Sequence, residues 1–159
     1  MIELKQKILS REELKKKLKE LRSQNKTIVS LNGSFDLLHA GHLKIITEAS
    51  NKADILIVAL NSDSSIKQYK SEKRPIISLE YRMQMIAALG CVDYVTSFEE
   101  TTPIEILDII KPNIHVNGAE YGENCIEREV VEKNGGTIHI VNLKPGLSTS
   151  EIIKKIKTL

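Results

Sequence analysis

Residues 27–60 read TIVSLNGSFDLLHAGHLKIITEASNKADILIVAL and contain the pattern that decides the fold. A short β-rich run, TIVSLN, is followed by a glycine turn and then by the helical stretch GHLKIITEASNK. The next run, DILIVAL, is almost continuously apolar, which is typical of a strand that is covered on both faces. This stretch therefore predicts two parallel strands joined by a helix.

The alternation of strands and helices continues to the carboxyl terminus. Helices are predicted for LEYRMQMIAAL, PIEILDII and EREVVEKNGG, and a β-rich run follows each of them, namely YVTSF, IHVN and TIHIV. Ser148 and Glu151 fit a capping box that begins a last helix, IIKKIK. The pattern predicts a doubly wound, Rossmann-like α/β fold over residues 26–159, with a parallel five-stranded sheet and helices on both faces in a single domain.

Residues 1–25 precede this pattern and are predicted to form a helical extension. Ser10 and Glu13 fit a capping box, and a lysine-rich amphipathic helix should follow to about Leu21. The simplest interpretation of its charges is a solvated face. The helix could serve a contact between two copies of the chain, or it could be a solvated appendage.

The composition of the 159-residue chain argues against several functional classes. Aromatic residues make up 4% and the net charge is only +2, so we expect neither a stacking surface nor a basic stripe for nucleic acid. No apolar run is long enough for a signal peptide or a membrane span. Cys91 and Cys125 are far apart and indicate neither a zinc site nor a disulfide framework. We therefore expect a cytoplasmic protein that binds neither nucleic acid nor membranes.

Polar segments follow four of the five predicted strands, and three of these segments contain glycine. They comprise residues 32–36, 61–63, 117–120 and 142–150. Because ligands of open parallel sheets bind beyond the carboxyl ends of the strands, these segments should meet at one edge of the sheet. The sequence therefore predicts a binding site at this edge.

Two of the four histidines, His39 and His42, lie three residues apart around Ala40 and Gly41. At a helix start, side chains at this spacing can point toward one ligand, and free N–H groups and the helix dipole favour an anion. Gly33 allows a tight turn and a close backbone approach. A zinc site needs a third or fourth ligand, which this pair lacks. The remaining alternative is that the two histidines are ordinary surface residues. The whole segment favours a phosphate-binding site.

The segment GSFDLLHAGH resembles the signature of the cytidylyltransferase-like nucleotidyltransferases, in which His-x-Gly-His follows a Gly-x-Phe-Asp turn. STSEIIKKI is similar to the Ile-Ser-Thr-Thr segment near the end of the same superfamily. LEYRM resembles its third element, with Arg82 in the position of a substrate-contacting arginine. An exposed helix residue is the alternative interpretation of Arg82.

Within this superfamily the chain is most similar to the adenylyltransferase domain of bacterial ADP-heptose synthase, over about residues 26–158. NGSFDLLHAGH, NSDSSIKQYKSEKRPI, LEYRM, VDYVTSFEETTP and GLSTSEIIKKI carry this resemblance in order. It implies transfer of AMP from ATP to a heptose 1-phosphate, giving the activated heptose used in lipopolysaccharide. The sugar-kinase domain found in many such proteins has no counterpart here, so a freestanding version is expected.

The resemblance and the positions of these segments imply roles for individual residues. His39 and His42 would donate hydrogen bonds to the triphosphate, Mg²⁺ is expected as the cofactor, and residues 70–74 form either a closing loop or a solvated charge run. The predicted catalytic residues are His39, His42 and Lys44. The predicted nucleotide-binding residues are Asn32, Gly33, Ser34, Phe35, Asp36, Gly41, Asn117, Gly118, Glu120, Ser148, Thr149 and Ser150. The predicted substrate-binding residues are Asp63, Lys67, Lys70 and Arg82.

The chain departs from the family pattern at two places. Asn117, Ala119 and Glu120 stand where the family usually has the lysine, second glycine and aspartate of Lys-Gly-Gly-Asp-Tyr. Leu143 stands where relatives that use CTP often carry arginine, which favours ATP. The alternatives are a CTP-dependent enzyme that acts on glycerol 3-phosphate or a similar phosphate, and a nucleotide-binding regulator without catalysis. A homodimer is expected by resemblance only.

Overall fold

A computed structural model describes residues 3–122, 124–142 and 146–159. Its centre is a five-stranded sheet in the order β3-β2-β1-β4-β5, in which every pair of neighbouring strands is parallel. This topology confirms the predicted doubly wound α/β fold. The strands are β1 (Ile28–Gly33), β2 (Ile55–Asn61), β3 (Tyr94–Phe98), β4 (Ile114–Gly118) and β5 (Thr137–Val141).

Helices connect the strands and cover both faces of the sheet. All the predicted helices are present, whereas α1, α4 and a short 3₁₀ helix at Ala119–Tyr121 were not predicted. The hydroxyl of Ser62 accepts a hydrogen bond from the N–H of Ser65 and so caps α4. The helices are α1 (Leu4–Lys7), α2 (Arg11–Ser23), α3 (Ala40–Ser50), α4 (Asp63–Tyr69), α5 (Leu79–Ala87), α6 (Ile104–Ile110), α7 (Arg128–Lys133) and α8 (Thr149–Ile156).

The strand order creates a crevice beside β1. The chain builds outward from β1 through β2 to β3, and then crosses back to place β4 on the other side of β1. The loops that follow β1 and β4 therefore leave the sheet in opposite directions, and ligands of such folds bind between them.

Alternating side chains of the strands divide the core between the two faces of the sheet. Leu31 of β1 belongs to an apolar cluster with Ile46 of α3 and Ile86 of α5. Ile28 of β1 belongs to a second cluster with Ile106 of α6. Both faces of β1 are therefore buried, as the apolar runs predicted.

Helix α2 packs on the sheet and is not a solvated appendage. Its Leu14 and Leu18 are buried in the second cluster, against residues of β1 and α6. The predicted capping box is present, because Ser10 and Glu13 exchange hydrogen bonds in both directions. Its lysines, by contrast, largely face solvent, as expected of a solvated face. The boundary between residues 25 and 26 remains a prediction.

We predict that Leu18→Ala destabilises the whole chain, because Leu18 fills space between α2 and the sheet. The free energy of unfolding, measured with urea, should fall by about 2 to 5 kcal/mol. Lys19→Ala, at an exposed position of the same helix, should change it by less than about 0.5 kcal/mol. A first transition that removes only the helical signal of α2, followed by a separate transition of the sheet, would show instead that residues 1–25 fold separately.

Candidate active site

A cleft of about 250 Å³ opens at the carboxyl ends of β1 and β4. Its walls come from the loop after β1, the start of α3, the segment after β4 and the start of α8. The polar segments predicted after β1, β4 and β5 therefore meet at one edge of the sheet. The predicted site residues that line the cleft are Asn32, Gly33, Ser34, Phe35, His39, His42, Lys70, Asn117, Gly118, Glu120, Ser148, Thr149 and Ser150.

The two histidines form a reciprocal cap at the start of α3. The N–H of Gly41 donates to Nδ1 of His39 at 3.1 Å, and the N–H of His39 donates to Nδ1 of His42 at 3.3 Å. The imidazole rings are stacked, with centroids 3.8 Å apart and planes inclined by 24°. Each Nδ1 accepts a backbone hydrogen bond, so in the neutral ring the proton resides on Nε2. The pair therefore presents two Nε2–H donors.

Both histidines favour the neutral form. Burial, together with the neighbouring His39 and Lys70, lowers the pKa of His42 to about 4. Burial also lowers the pKa of His39. Donation of hydrogen bonds by this pair therefore needs no prior protonation at neutral pH.

Glycine and phenylalanine shape the walls around the histidines. A Cβ on Gly41 would lie 2.9 Å from Cε1 of His39 and would clash with this ring, so glycine is needed to keep the ring in its observed position. A Cβ on Gly33 would lie 3.1 Å from the ring of Phe35. The left-handed residue of the turn is Phe35, with φ 47°, and not the glycine that the sequence suggested. The ring of Phe35 contacts the ring of His42 edge-on at 5.2 Å.

The start of α8 forms a further wall of the cleft, beside the segment that carries the histidines. The hydroxyl of Ser148 accepts a hydrogen bond from the N–H of Glu151 at 3.2 Å, which is one half of the predicted capping box. The Glu151 side chain does not return a hydrogen bond to Ser148 within the described residues, so the reciprocal capping box is not formed. Free N–H groups at this helix start, and the hydroxyls of Thr149 and Ser150, add donors that suit an anion.

Lys70 reaches the cleft from the segment between α4 and α5. Its Nζ donates to the hydroxyl of Ser34 at 2.9 Å. Much of this side chain is exposed, but partial burial of the ammonium group and the nearby Arg74 lower the pKa of Lys70. Lys70 therefore places a cation beside the histidines.

Asp36 lies behind the cleft and anchors this segment. Its carboxylate accepts hydrogen bonds from Nε of Arg74 at 2.7 Å and from the N–H groups of Ile76 and Ile77 at 2.9 Å. Burial would raise the pKa of Asp36, but these three hydrogen bonds together lower it. Both oxygens are occupied and the residue does not line the cleft, so the predicted nucleotide contact of Asp36 has no support in this geometry.

Arg82 is completely buried, which contradicts its interpretation as an exposed helix residue. Its guanidinium donates to the carbonyl oxygens of Ile77, Ser34 and Asn61 at 2.6 to 3.0 Å, and to Oδ1 of Asp63 at 2.7 Å. These contacts join the loops after β1 and β2 to the segment before α5. The guanidinium is not exposed to the cleft, so the predicted phosphate contact of Arg82 is unsupported.

Several other predicted residues also lie away from the cleft. Nζ of Lys44 donates to the carbonyl oxygen of Asn142 at 2.8 Å, which joins α3 to the end of β5. Lys67 is exposed on α4, and Asp63 is engaged by Arg82. Gly41 supports the His39 ring without lining the cleft. Leu143, together with residues 144 and 145 of the predicted polar segment 142–150, lies outside the described residues.

A buried polar group beneath the cleft was missed by sequence analysis. The hydroxyl of Ser30 lies 2.7 Å from Nδ1 of His115, on paired positions of β1 and β4. Nδ2 of Asn117 donates to Oε2 of Glu127, which is only 4% exposed, at 3.2 Å. Oδ1 of Asn32 is buried and has no hydrogen-bond partner among the described residues. A serine, histidine and asparagine within otherwise apolar strands were the only signal of this group in the sequence.

Among the residues that the structure describes, no group of three or more His, Cys, Asp or Glu side chains is arranged to hold a metal ion. None of the described helices has the length and apolarity that a membrane crossing requires.

Comparison with known families matches residues 30–155 to the family described as cytidylyltransferase-like. The match includes both histidines of the cleft and the start of α8. The chain belongs to the cytidylyltransferase-like family. It is a nucleotidyltransferase, as the sequence predicted.

Curated relatives that match most of the chain are named bifunctional protein HldE. The relative from Syntrophotalea carbinolica is 42% identical over 156 residues, which are 98% of this chain and 32% of that protein. The relative from Citrifermentans bemidjiense is 45% identical over 135 residues, which are 84% of this chain and 28% of that protein. The chain thus spans less than a third of the length of these relatives. These matches confirm the resemblance seen in the sequence motifs.

Solved structures share the fold. A lipopolysaccharide core biosynthesis protein from Thermoplasma volcanium is 28% identical, with a TM-score of 0.61, over 75% of this chain and 97% of its own. Pantoate-beta-alanine ligase from Francisella tularensis, solved with beta-gamma ATP and beta-alanine, has a TM-score of 0.62 over 96% of this chain and 78% of its own. Its identity of 16% supports the fold alone.

We predict that His115 makes the stability of this nucleotidyltransferase fall at mildly acidic pH. Complete burial lowers the pKa of His115 to about 4, against the opposing influence of Glu127 and Asn117. Between pH 6.5 and 4 the unfolded chain therefore binds a proton that the folded chain does not, and the free energy of unfolding falls as pH falls. At pH 5 the loss due to this residue should be about 1 to 2 kcal/mol relative to pH 7.

Urea unfolding at pH 7 and pH 5 checks this prediction. His115→Gln keeps an acceptor for Ser30 but does not titrate, so its loss of stability between the two pH values should be smaller than that of the wild type. His139→Gln, which alters a partly exposed histidine paired with Glu48, serves as the control. Equal losses in the wild type and His115→Gln would contradict the prediction.

Proposed function

We propose that the chain transfers AMP from ATP to a heptose 1-phosphate, with release of pyrophosphate and formation of ADP-heptose. The observation that carries this proposal is the pair of neutral histidines, whose Nε2–H donors face a cleft closed by a second helix start. The similarity to proteins named HldE over nearly the whole chain favours the heptose substrate. The name of the Thermoplasma volcanium protein, which refers to lipopolysaccharide core biosynthesis, points in the same direction.

The reaction requires two anions to meet in a fixed geometry. An oxygen of the sugar phosphate attacks the α-phosphorus of ATP, and the bond from that phosphorus to the bridging oxygen breaks. Pyrophosphate leaves with the bonding electrons. The attacking oxygen is already anionic, so no general base is needed, and positioning and electrostatic stabilisation supply most of the catalysis.

The cleft residues divide this work among them. His39 and His42 donate hydrogen bonds to oxygens that gain negative charge as pyrophosphate leaves. Lys70 supplies a positive charge beside them. The N–H groups at the start of α8, with the hydroxyls of Thr149 and Ser150, hold further phosphate oxygens.

A Mg²⁺ ion fits this cleft as a companion of the triphosphate. Mg²⁺ prefers oxygen ligands and is usually held by substrate phosphates together with one or two carboxylates. Glu120 supplies a carboxylate that lines the cleft, whereas Nδ1 of each histidine is already occupied. When bound, the ion would neutralise phosphate charge during the transfer.

The proposal is tested by measuring pyrophosphate release by the purified protein in the presence of Mg²⁺. ATP and CTP should each be supplied with heptose 1-phosphate and with glycerol 3-phosphate. We expect turnover only with ATP and heptose 1-phosphate. Turnover with CTP would keep the mechanism but replace the substrates, and nucleotide binding without release in any combination would favour a regulator.

We predict that His42→Ala folds normally but is almost inactive. Loss of one donor to the developing charge should lower kcat by about a hundredfold to a thousandfold. His42→Gln, which keeps an N–H group near the position of Nε2, should retain more activity than His42→Ala.

His139→Ala is the matched control, because His139 pairs with Glu48 away from the cleft. Its kcat should stay near that of the wild type. Thermal unfolding of all three variants separates loss of chemistry from loss of fold. A His42→Ala protein that keeps most of its turnover would refute the role given to the pair.

The proposal also includes a cytoplasmic location and a homodimer. Every residue used in the mechanism lies in one chain, so turnover should not depend on the dimer. Size-exclusion chromatography with light scattering measures the oligomeric state directly.

A further inference from the structure

We propose that Glu127 is a positioning residue that fixes the amide of Asn117, so that the floor of the cleft binds hydroxyl or amino groups of the substrate and not its phosphates. This inference rests on the proposed function and deepens it. The floor is defined here by the side chains of Asn32 and Asn117. It would receive the uncharged part of the nucleotide or of the sugar.

The orientation of Asn117 follows from the chemistry of its buried partner. Glu127 lies directly before α7 and is 4% exposed, and its Oε2 accepts from Nδ2 of Asn117 at 3.2 Å. An ionised carboxylate can only accept hydrogen bonds. The amide nitrogen of Asn117 is therefore turned toward Glu127, and rotation of the amide by half a turn would bring two acceptors together.

The pairing of β1 and β4 brings the two floor amides together. Ser30 pairs with His115 in the sheet, and side chains two residues apart on a strand point to the same face. Asn32 and Asn117 therefore follow Ser30 and His115 on one face and end side by side at the cleft. Both asparagines line the cleft, whereas Glu127 is outside its lining and contacts Asn117.

The acceptor on Asn32 indicates what kind of group binds here. Its Oδ1 is buried and lacks a hydrogen-bond partner among the described residues, and an unpaired buried polar atom is costly. An O–H or N–H group, from a ligand or from a water molecule, would satisfy this oxygen. Phosphate oxygens at neutral pH are chiefly acceptors and would leave it unpaired.

The distribution of charge also separates the side of the histidines from the floor of the cleft. His39, His42 and Lys70 lie on one side with the start of α8, and supply donors and positive charge. Glu120 lines the other side, where its carboxylate folds against Gly118, and Glu127 lies beneath the floor. The phosphates are therefore drawn to the histidine side, and sugar hydroxyls or a base amino group face the asparagines.

A double-mutant cycle on ligand binding tests this inference. Glu127→Met fills the same space without an acceptor, Asn117→Ala removes the amide, and the double variant combines them. Dissociation constants for ATP and for tripolyphosphate are measured by calorimetry with Mg²⁺. Each single variant should weaken ATP binding about three- to tenfold and leave tripolyphosphate binding unchanged.

If Glu127 acts through Asn117, the double variant should bind ATP no more weakly than Asn117→Ala. Glu127→Gln can still accept from Nδ2 of Asn117 and should restore most of the affinity. Glu129→Met alters an exposed glutamate of α7 and should bind both ligands like the wild type. A KM for the sugar phosphate that rises while ATP binding stays unchanged would assign the floor to the acceptor sugar, with the same chemistry.

Additive losses in the cycle, or equal weakening of ATP and tripolyphosphate, would overturn the inference. Should Glu127→Met fail to fold, the comparison of the two ligands on Asn117→Ala decides between selective and general weakening. A wild type that binds ATP but releases no pyrophosphate with any acceptor refutes the proposed function, whereas the cycle on ATP binding still reports on Glu127. The two failures are therefore distinguishable.

Discussion

The buried guanidinium of Arg82 is the constraint on which the geometry of the site depends. It donates to the carbonyl oxygens of Ser34 and Asn61, which lie at the carboxyl ends of neighbouring strands, and to that of Ile77 before α5. A buried arginine is costly unless its N–H groups find acceptors, so these loops must keep their carbonyl oxygens at this point. The same loops hold the Ser34 hydroxyl that contacts Lys70. The positive side of the cleft is therefore positioned by a residue that does not line it.

The histidine pair illustrates a second form of constraint, in which a helix start determines a tautomer. An ordinary capping box uses a hydroxyl and a carboxylate, but here both acceptors are Nδ1 atoms of imidazoles. The backbone N–H groups at the start of α3 need acceptors and find them in the Nδ1 atoms, so they determine that Nε2 carries the proton. Burial then favours the uncharged rings. Local helix geometry and burial together give two donors of fixed direction, which is what stabilisation of a departing phosphate requires.

The sequence predicted those features that depend on neighbouring residues along the chain. Apolar runs predicted the strands, and the spacing of His39 and His42 predicted that the two side chains meet at one site, where both line the cleft. Arg82 and Glu127 escaped prediction because their partners are distant: Arg82 meets Ser34 across 48 residues, and Glu127 meets Asn117 across a loop and a helix start. Whether a charged side chain on a helix is exposed or buried depends on such partners, which no local pattern contains. Helix α4 escaped prediction for a different reason, because its cap, Ser62, lies in a polar segment that resembles a loop.

The asparagine at position 117 changes the electrostatics of the floor. The family pattern usually has a lysine there, and an ammonium group beside the buried carboxylate of Glu127 would neutralise it. Asn117 instead contributes an uncharged amide, so the negative charge beneath the floor is not offset by this residue. Phosphates therefore gain little at the floor and much at the histidines, where Lys70 and two N–H donors converge. The substitution does not alter the histidines and Lys70, which we propose to act on the departing phosphate. It increases the difference in charge between the two sides of the cleft. That difference would favour one orientation of a substrate that carries phosphate at one end and hydroxyls at the other.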